Sequence, residues 1–396
     1  MIMTNMALPT NPYRPGAGTY PPYLAGREAV TSRIEELATI LEEGGQASAL
    51  VLPGVRGMGK TSLLLHAQGL LAERGWIVPD LQEMASNRRL PVIWDEIRSF
   101  LQGTVAADRV PHLKKWESGP IEWGAGVEVG ASGPKARGDL KGSLKKARDG
   151  GISAVQADIV KVFEALGENG VRLALLFDET QAGQQKELKV LIQLAHRAAQ
   201  RRWSLMMIFG GLPPTNDRLV RAASYASHFE TMRVGPLEDL AAREALRQPA
   251  IDVGVAFTNE GLKLAVGFAQ GIPYHIQVIG QQAWRQGKTK VGAPEVSAAI
   301  PVANETIEAS MYEPLWNRAS DAEQGYLVEM ARHHRRGYGS PVAKVLGALK
   351  MDHPAGAQVR ARLMAKGLVH AGRYGYVEFS YPGFDIYAKE QARRRR

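Results

Sequence analysis

Two spacings of apolar residues run along the chain. Short continuous apolar runs predict strands covered on both faces, and apolar residues recurring every three or four positions predict helices with one buried stripe. The first helical stretch, "AGREAVTSRIEELATILEEGG", carries Ile34, Leu37, Ile40 and Leu41 and stops at a double glycine. A strand at 49–52 follows, then a glycine-rich turn and a helix beginning near Lys60. "GWIVPDLQEM" reads as the next strand, and "LPVIWDEIRSFLQ" as a helix with Ile93, Ile97 and Leu101 on one face. Later come the helix "ISAVQADIVKVFEAL", the almost wholly apolar strand "VRLALLFDETQ", a helix with Leu188, Leu191, Ile192 and Ala195 in one stripe, and the strand "WSLMMIFGGLPP". Alternating strands and helices of this kind predict an α/β fold with a parallel sheet.

From about Leu237 the pattern turns helical ("LEDLAAREALRQPA", "NEGLKLAVGFAQGIPYHIQVIGQQAW"), which predicts a small all-α lid. The last segment reads as helices at 321–333, 341–349 and 355–366, followed by two β-like runs around an Arg-Tyr-Gly turn in "LVHAGRYGYVEFSYP". That order is the order of a winged helix. Two stretches break the rhythm. Residues 8–24 are rich in Pro, Gly and Tyr and predict an extended arm. Residues 103–150 hold a short hairpin candidate, "GPIEWGAGVEVGASGP", and a basic run, "KARGDLKGSLKKARDGG". They read as a surface insertion, with a phosphate patch of Lys141, Lys145, Lys146 and Arg148 as the alternative. The expected division is an N-terminal arm and helix (1–46), an α/β core (47–236), a helical lid (237–316), a winged helix (317–390) and a basic tail (391–396).

Composition adds a location for charge. The 396 residues carry a formal net charge of +9. From Arg318 onward there are 15 Lys and Arg against 7 Asp and Glu, so +8 of that excess sits in the last fifth of the chain. A nucleic-acid surface, if present, is expected there. There is no cysteine, which excludes disulfides, thiolate catalysis and cysteine-based zinc sites. No apolar run approaches the roughly 20 residues of a membrane span, and the opening residues lack a signal-peptide pattern. A cytoplasmic protein with no membrane partner is the expectation.

Candidate chemistry centres on "GVRGMGKTS". Gly54, Gly59, Lys60 and Thr61 satisfy the pattern G-x-x-x-x-G-K-[ST] between a strand and a helix, with Gly57 a further glycine inside the loop. Backbone N–H groups of Gly54, Arg56, Gly57, Met58, Gly59, Lys60, Thr61 and Ser62 would then wrap a phosphate chain, with Lys60 reaching the β- and γ-phosphates. The Thr61 hydroxyl would ligate Mg2+, and the helix start adds partial positive charge. At the end of the apolar strand, Asp178 is the second expected Mg2+ residue, and Glu179 is placed to polarise an attacking water as general base. ATP with Mg2+ is the expected cofactor pair.

The P-loop, the D-E-x-Q run of Asp178, Glu179 and Gln181, "GGLPP", and "GIPYHIQ" follow one another in order. As an ordered set they resemble bacterial AAA+ ATPases of the origin-recognition-like and STAND groups. The stretch "PPYLAGREAV" is similar to the G-R-E box that lies near the adenine in that group. The resemblance covers most of residues 10–385 apart from the insertion. It implies a P-loop NTPase sheet, a helical lid and a winged helix, and it makes Pro273, in a G-x-P motif, a nucleotide contact. The chain also departs from the group's pattern. Gly210 or Gly211 stands where a polar sensor is usual, and Tyr274 and His275 stand where the lid carries a sensor arginine. "SYASHF" puts His228 at the place of a trans arginine finger, with Arg218, Arg221 and Arg233 nearby as substitutes. A missing finger implies slow hydrolysis, since a finger is worth about 10³–10⁵ in rate. The resemblance therefore implies a slow switch rather than a fast motor.

The output of such a switch has two readings. "PAGAQVRARLMAKG" would be the recognition helix of the winged helix, presenting Arg360, Arg362 and Lys366 to DNA, with Arg373 on the wing. Alternatively the winged helix packs on the nucleotide domain as a clamp, held to its own core by Val359 and Leu363. A signalling or scaffold NTPase that oligomerises on ATP and recruits a protein, without DNA, is the competing function.

Overall fold

The computed structural model describes residues 10–16, 18–85, 88–104, 152–153, 155–287, 289–335 and 337–394. The expected insertion hairpin, the basic run with Lys141, Lys145, Lys146 and Arg148, and tail residues Arg395 and Arg396 lie outside these. Among the described residues, five strands form one parallel sheet in the order β2-β3-β4-β1-β5: β1 Leu50–Pro53, β2 Gln82–Glu83, β3 Leu173–Asp178, β4 Leu205–Gly211 and β5 Glu230–Thr231. Every residue of β1, β3 and β4 is buried, as continuous apolar strands require when helices cover both faces.

Side chains divide between the faces with period two. Leu50, Leu52, Ala174, Leu176, Met206 and Ile208 pack under α1 (Glu28–Glu42) and α2 (Lys60–Glu73). Val51, Leu175, Phe177, Met207 and Phe209 pack under α3 (Leu90–Gly103), α4 (155–168) and α5 (Gln185–Arg201). This core therefore has two separate apolar layers with the sheet between them. The second strand is far shorter than the run "GWIVPDLQEM" suggested. Ile77 makes an isolated bridge to Leu173, and regular pairing resumes only at Gln82. Pro79 lies between them, and a proline offers no N–H to a sheet ladder.

After α6 (Thr215–Ala222) the chain enters a helical region of α7 (Asp239–Asp252), α8 (Asn259–Ala269), α9 (Pro273–Gln286) and α10 (Ala293–Ile307). It is not wholly α. A short parallel pair, β6 (Ala256–Phe257) with β7 (Lys290–Val291), is set into it. A π-turn at Glu308–Tyr312 and the short α11 (Glu313–Asn317) lead to the C-terminal region. There α12 (Asp321–His333), β8 (Ser340–Pro341), α13 (Val342–Leu349), α14 (His353–Ala365), β9 (Val369–Ala371), β10 (Tyr376–Phe379) and α15 (Phe384–Arg394) follow in order. The three strands pair antiparallel as β8-β10-β9.

The helical region and the C-terminal region share one continuous core. Ala265, Ile276, Ile279, Ala299, Tyr312, Trp316, Leu327, Leu363 and Phe384 all belong to it. At the junction Tyr312 packs edge-on against Phe384, and its hydroxyl donates to the Pro382 carbonyl at 2.5 Å. The N-terminal arm joins the same core: Tyr13 is buried, and its hydroxyl donates to the carbonyl of Leu246. An added Cβ at Gly280 would stand 2.6 Å from the Tyr13 ring, so that glycine makes the seat for the arm.

Candidate nucleotide site

The carboxyl ends of β1, β3 and β4 meet on one edge of the sheet, where open parallel sheets place their ligands. The loop after β1 needs its glycines for different reasons. Gly57 and Gly59 sit at φ +80°, the left-handed region that glycine enters without steric cost. A Cβ on Gly54 would come within 2.4 Å of the Val234 carbonyl oxygen. Met58 is buried beneath the loop. Arg27, from the G-R-E stretch, braces the loop by donating to the carbonyls of Met58 at 2.9 Å and Gly235 at 2.7 Å.

Lys60 and Thr61 open α2. Lys60 is buried, and its Nζ donates to the Val55 carbonyl at 3.1 Å, so it lies folded along the loop. Burial pulls its pKa below the ordinary lysine value, while Glu179 and Asp178 work in the opposite direction. The Thr61 hydroxyl donates to Asp178 Oδ2 at 2.5 Å, and the Glu179 N–H donates to Asp178 Oδ1 at 2.8 Å. Thr61 and Asp178, expected as the Mg2+ residues, are thus side by side across the gap between β1 and β3. A hydroxyl and a carboxylate are hard oxygen donors, the kind that suit Mg2+ bound with substrate phosphates. Among the described residues no cluster of three or more His, Asp or Glu could hold a metal unaided. Ser62 faces the arm, its hydroxyl donating to the Thr19 carbonyl at 3.1 Å.

Glu179 occupies the left-handed region at φ +48°, which is unusual for a residue with a side chain. Its carboxylate receives two bonds from the Arg56 guanidinium, at 3.2 and 3.3 Å. It receives another from Gln181 Nε2 at 2.5 Å. The Arg56 backbone N–H does not face into the loop: it donates to the carbonyl of Ser380 at 3.2 Å.

The two glycines at the end of β4 have a packing explanation. A Cβ at Gly210 would stand 2.8 Å from Leu64, and one at Gly211 would stand 2.2 Å from Thr215 Oγ1 and 2.6 Å from Gln181 Oε1. The carboxamide of Gln181 fills the place a β4 side chain would need, accepting from the Leu212 N–H at 2.8 Å. Gln181 was legible only as the last letter of D-E-x-Q, and its bridging role was not.

The G-x-P stretch closes the site from the lid side. Gly271 has φ +73°, and a Cβ there would strike the Leu237 carbonyl at 2.3 Å. Pro273 is the first residue of α9, 3.9 Å from the position of an added Cβ on Gly59. The Tyr274 N–H donates to the Gly57 carbonyl at 3.2 Å. His275 is buried, with its Nε2 lacking a partner, and burial lowers its pKa to about 4. His228 and Arg218, Arg221 and Arg233 are all exposed; Arg218 donates to the Gly183 carbonyl at 2.9 Å.

The four C-terminal candidates separate. Arg362 is exposed and Arg360 half-buried, both on α14. Lys366 is turned inward, bound to Glu323 Oε2 at 2.5 Å and to the Arg318 carbonyl at 2.9 Å. Arg373 is exposed at the β9–β10 turn, with its guanidinium over Tyr376 at 4.0 Å and Tyr338 at 4.7 Å. Tyr374 beside it is fully exposed.

A five-stranded parallel sheet with helices on both faces and a glycine-rich phosphate loop after its first strand is the P-loop NTPase fold. More particularly, residues 23–208 match the AAA ATPase domain. Residues 309–388 match a domain of unknown function (DUF8462). Among solved structures, the ORC2 protein of Aeropyrum pernix in its ADP form is similar at 14% identity and a TM-score of 0.52, covering 96% of each chain. The Walker-type ATPase of Pyrococcus abyssi is similar at 17% identity and a TM-score of 0.51, covering 92% of this chain and 96% of that one. At these identities the likeness is one of fold. No curated protein matches the sequence. No described helix is long and apolar enough to cross a membrane.

Proposed function

We propose that this chain is an ATP-binding switch ATPase that hydrolyses slowly and signals through its C-terminal region. The observation that carries this reading is the closure of Thr61 on Asp178 beside the buried Lys60, with Glu179 next in line. Backbone N–H groups of the loop from Gly57 to Ser62 would take the phosphates, with Lys60 swinging from the Val55 carbonyl to a phosphate oxygen; those of Gly54 and Arg56, expected in the same set, are instead bonded to the Gly211 and Ser380 carbonyls. Thr61 and Asp178 would hold Mg2+, which neutralises charge on the phosphates when bound. Glu179 would accept the proton of the attacking water. Pro273 and Tyr274 would close over the loop from the lid. Slow turnover is supported by packing: Gly210 and Gly211 leave no space for a sensor side chain, and a histidine stands at the finger position. Titration calorimetry with ATP tests the first step. The wild type should bind, and Lys60→Ala should bind about 10- to 100-fold more weakly, as loss of a charge-assisted bond to phosphate implies. Equal affinities would remove Lys60 from the site.

DNA association is the output best supported. The C-terminal region has the element order of a winged helix, and its turn carries Arg373 stacked between two tyrosines, with Tyr374 exposed and Arg362 on the neighbouring helix. Lys366 is left out of the contact set, because its charge is used within the domain. Duplex binding should weaken as salt rises, and Arg373→Ala should lower the slope of log affinity against log salt by about 1. Absence of DNA binding at low salt, with and without ATP, would favour the oligomerising signalling NTPase instead.

A further inference from the structure

Arg56 stands at the crossing of two contacts that the proposed hydrolytic cycle leaves unexplained. Its guanidinium holds the Glu179 carboxylate in a bidentate pair at 3.2 and 3.3 Å. Its backbone N–H donates to Ser380 in the C-terminal region at 3.2 Å, and its guanidinium carbon lies 5.6 Å from the centre of the Tyr381 ring. Its Nε is buried without an acceptor. One residue of the phosphate loop is therefore fastened at one end to the C-terminal region and at the other to the acid expected to activate water.

A general base must have a carboxylate oxygen free to accept the water's proton. With two bonds from Arg56 and one from Gln181, the acceptor positions of Glu179 are largely taken. We propose that Arg56 is a positioning residue that couples the seat of the C-terminal region to the availability of Glu179. While Ser380 and Tyr381 rest on the loop, Arg56 is fixed over Glu179 and hydrolysis is held back. When the C-terminal region lifts, Arg56 loses its carbonyl and its ring, and the pair with Glu179 opens. The contact is thus autoinhibitory, and any ligand that binds the C-terminal region better in its lifted state would raise the rate.

This inference rests on Glu179 acting as general base, and the test separates the two ideas. Steady-state ATP hydrolysis is measured with full-length wild type, Arg56→Gln, Tyr381→Leu, Glu179→Gln and the double variant Arg56→Gln/Glu179→Gln. Arg56 sits on a half-exposed loop, so Arg56→Gln is the primary variant, and Tyr381→Leu keeps an apolar side chain in place of the ring. Arg56→Gln should raise kcat about fivefold, the scale of losing one partly exposed ion pair, with KM for ATP within about twofold of wild type. Tyr381→Leu should move kcat in the same direction. The double variant should be as inactive as Glu179→Gln, showing that the gain runs through that carboxylate. An unchanged or lower kcat in Arg56→Gln, with Glu179→Gln inactive, would overturn the coupling alone. Wild-type turnover in Glu179→Gln would overturn the assignment of Glu179, and the coupling with it.

Discussion

Gln181 and His275 carry more of the site than their positions in the chain suggest. The Gln181 carboxamide bonds to both Glu179 and the Leu212 N–H, and so ties the end of β3 to the end of β4. Together with the Thr215 hydroxyl it fills the space that a Cβ on Gly211 would need. The pair of glycines reads in the sequence only as a departure from a polar sensor, whereas the groups that crowd them, Leu64, Thr215 and Gln181, come together only in the fold. His275 follows Pro273 and Tyr274 into the first turn of α9, buried with one ring nitrogen unpartnered. Burial lowers its pKa from 6.5 to about 4, so the native state resists the proton that the unfolded chain accepts. Between pH 6.5 and 4 the unfolded state binds more protons, and stability rises with pH in that window. The contribution is complete above pH 6.5 and is lost as pH falls towards 4. A shift of that size is worth at most on the order of 3 kcal/mol. His370 is shifted in the same direction by burial, with Glu378 opposing. Denaturant titrations at a series of pH values should show His275→Gln with a flatter pH dependence between 4 and 6.5 than wild type. Parallel curves would show that His275 is not desolvated in the native state.

At the scale of elements, the apolar runs found the sheet because β1, β3 and β4 are buried on both faces and carry no ambiguous alternation. The helix at 321–333 was legible to its ends, since Ser320 and Glu323 make a reciprocal cap at its start. Where the reading failed, a local feature overrode the pattern. Pro79 cut the second strand to a pair of residues. The short β6–β7 pairing has no signature in the sequence, because two residues per strand leave no period to detect. The composition of residues 8–24 predicts an extended arm but not where it docks. Nothing local links Tyr13 to Gly280, and the contact depends on a glycine in the middle of α9. A side chain at 280 would collide with the Tyr13 ring, so the arm and that glycine act as one element.

On the scale of the whole molecule, the division into lid and C-terminal region is a division of sequence pattern rather than of packing. One core runs through both, and the nucleotide core keeps its own two layers. Backbone hydrogen bonds join the larger unit to the phosphate loop from Tyr274 to Gly57 and from Arg56 to Ser380. The first contact was expected from the G-x-P stretch. The second arises from a tertiary approach between residues more than 300 positions apart, and no motif announces it. The proposed hydrolysis and its restraint by Arg56 both depend on chemistry at Glu179. The most direct measurement is phosphate release after mixing saturating ATP and Mg2+ with wild type and Glu179→Gln, with ATP binding followed in parallel. The account predicts equal ATP binding and a release rate at least about 100-fold lower in the variant. Phosphate release at the wild-type rate by Glu179→Gln would contradict it.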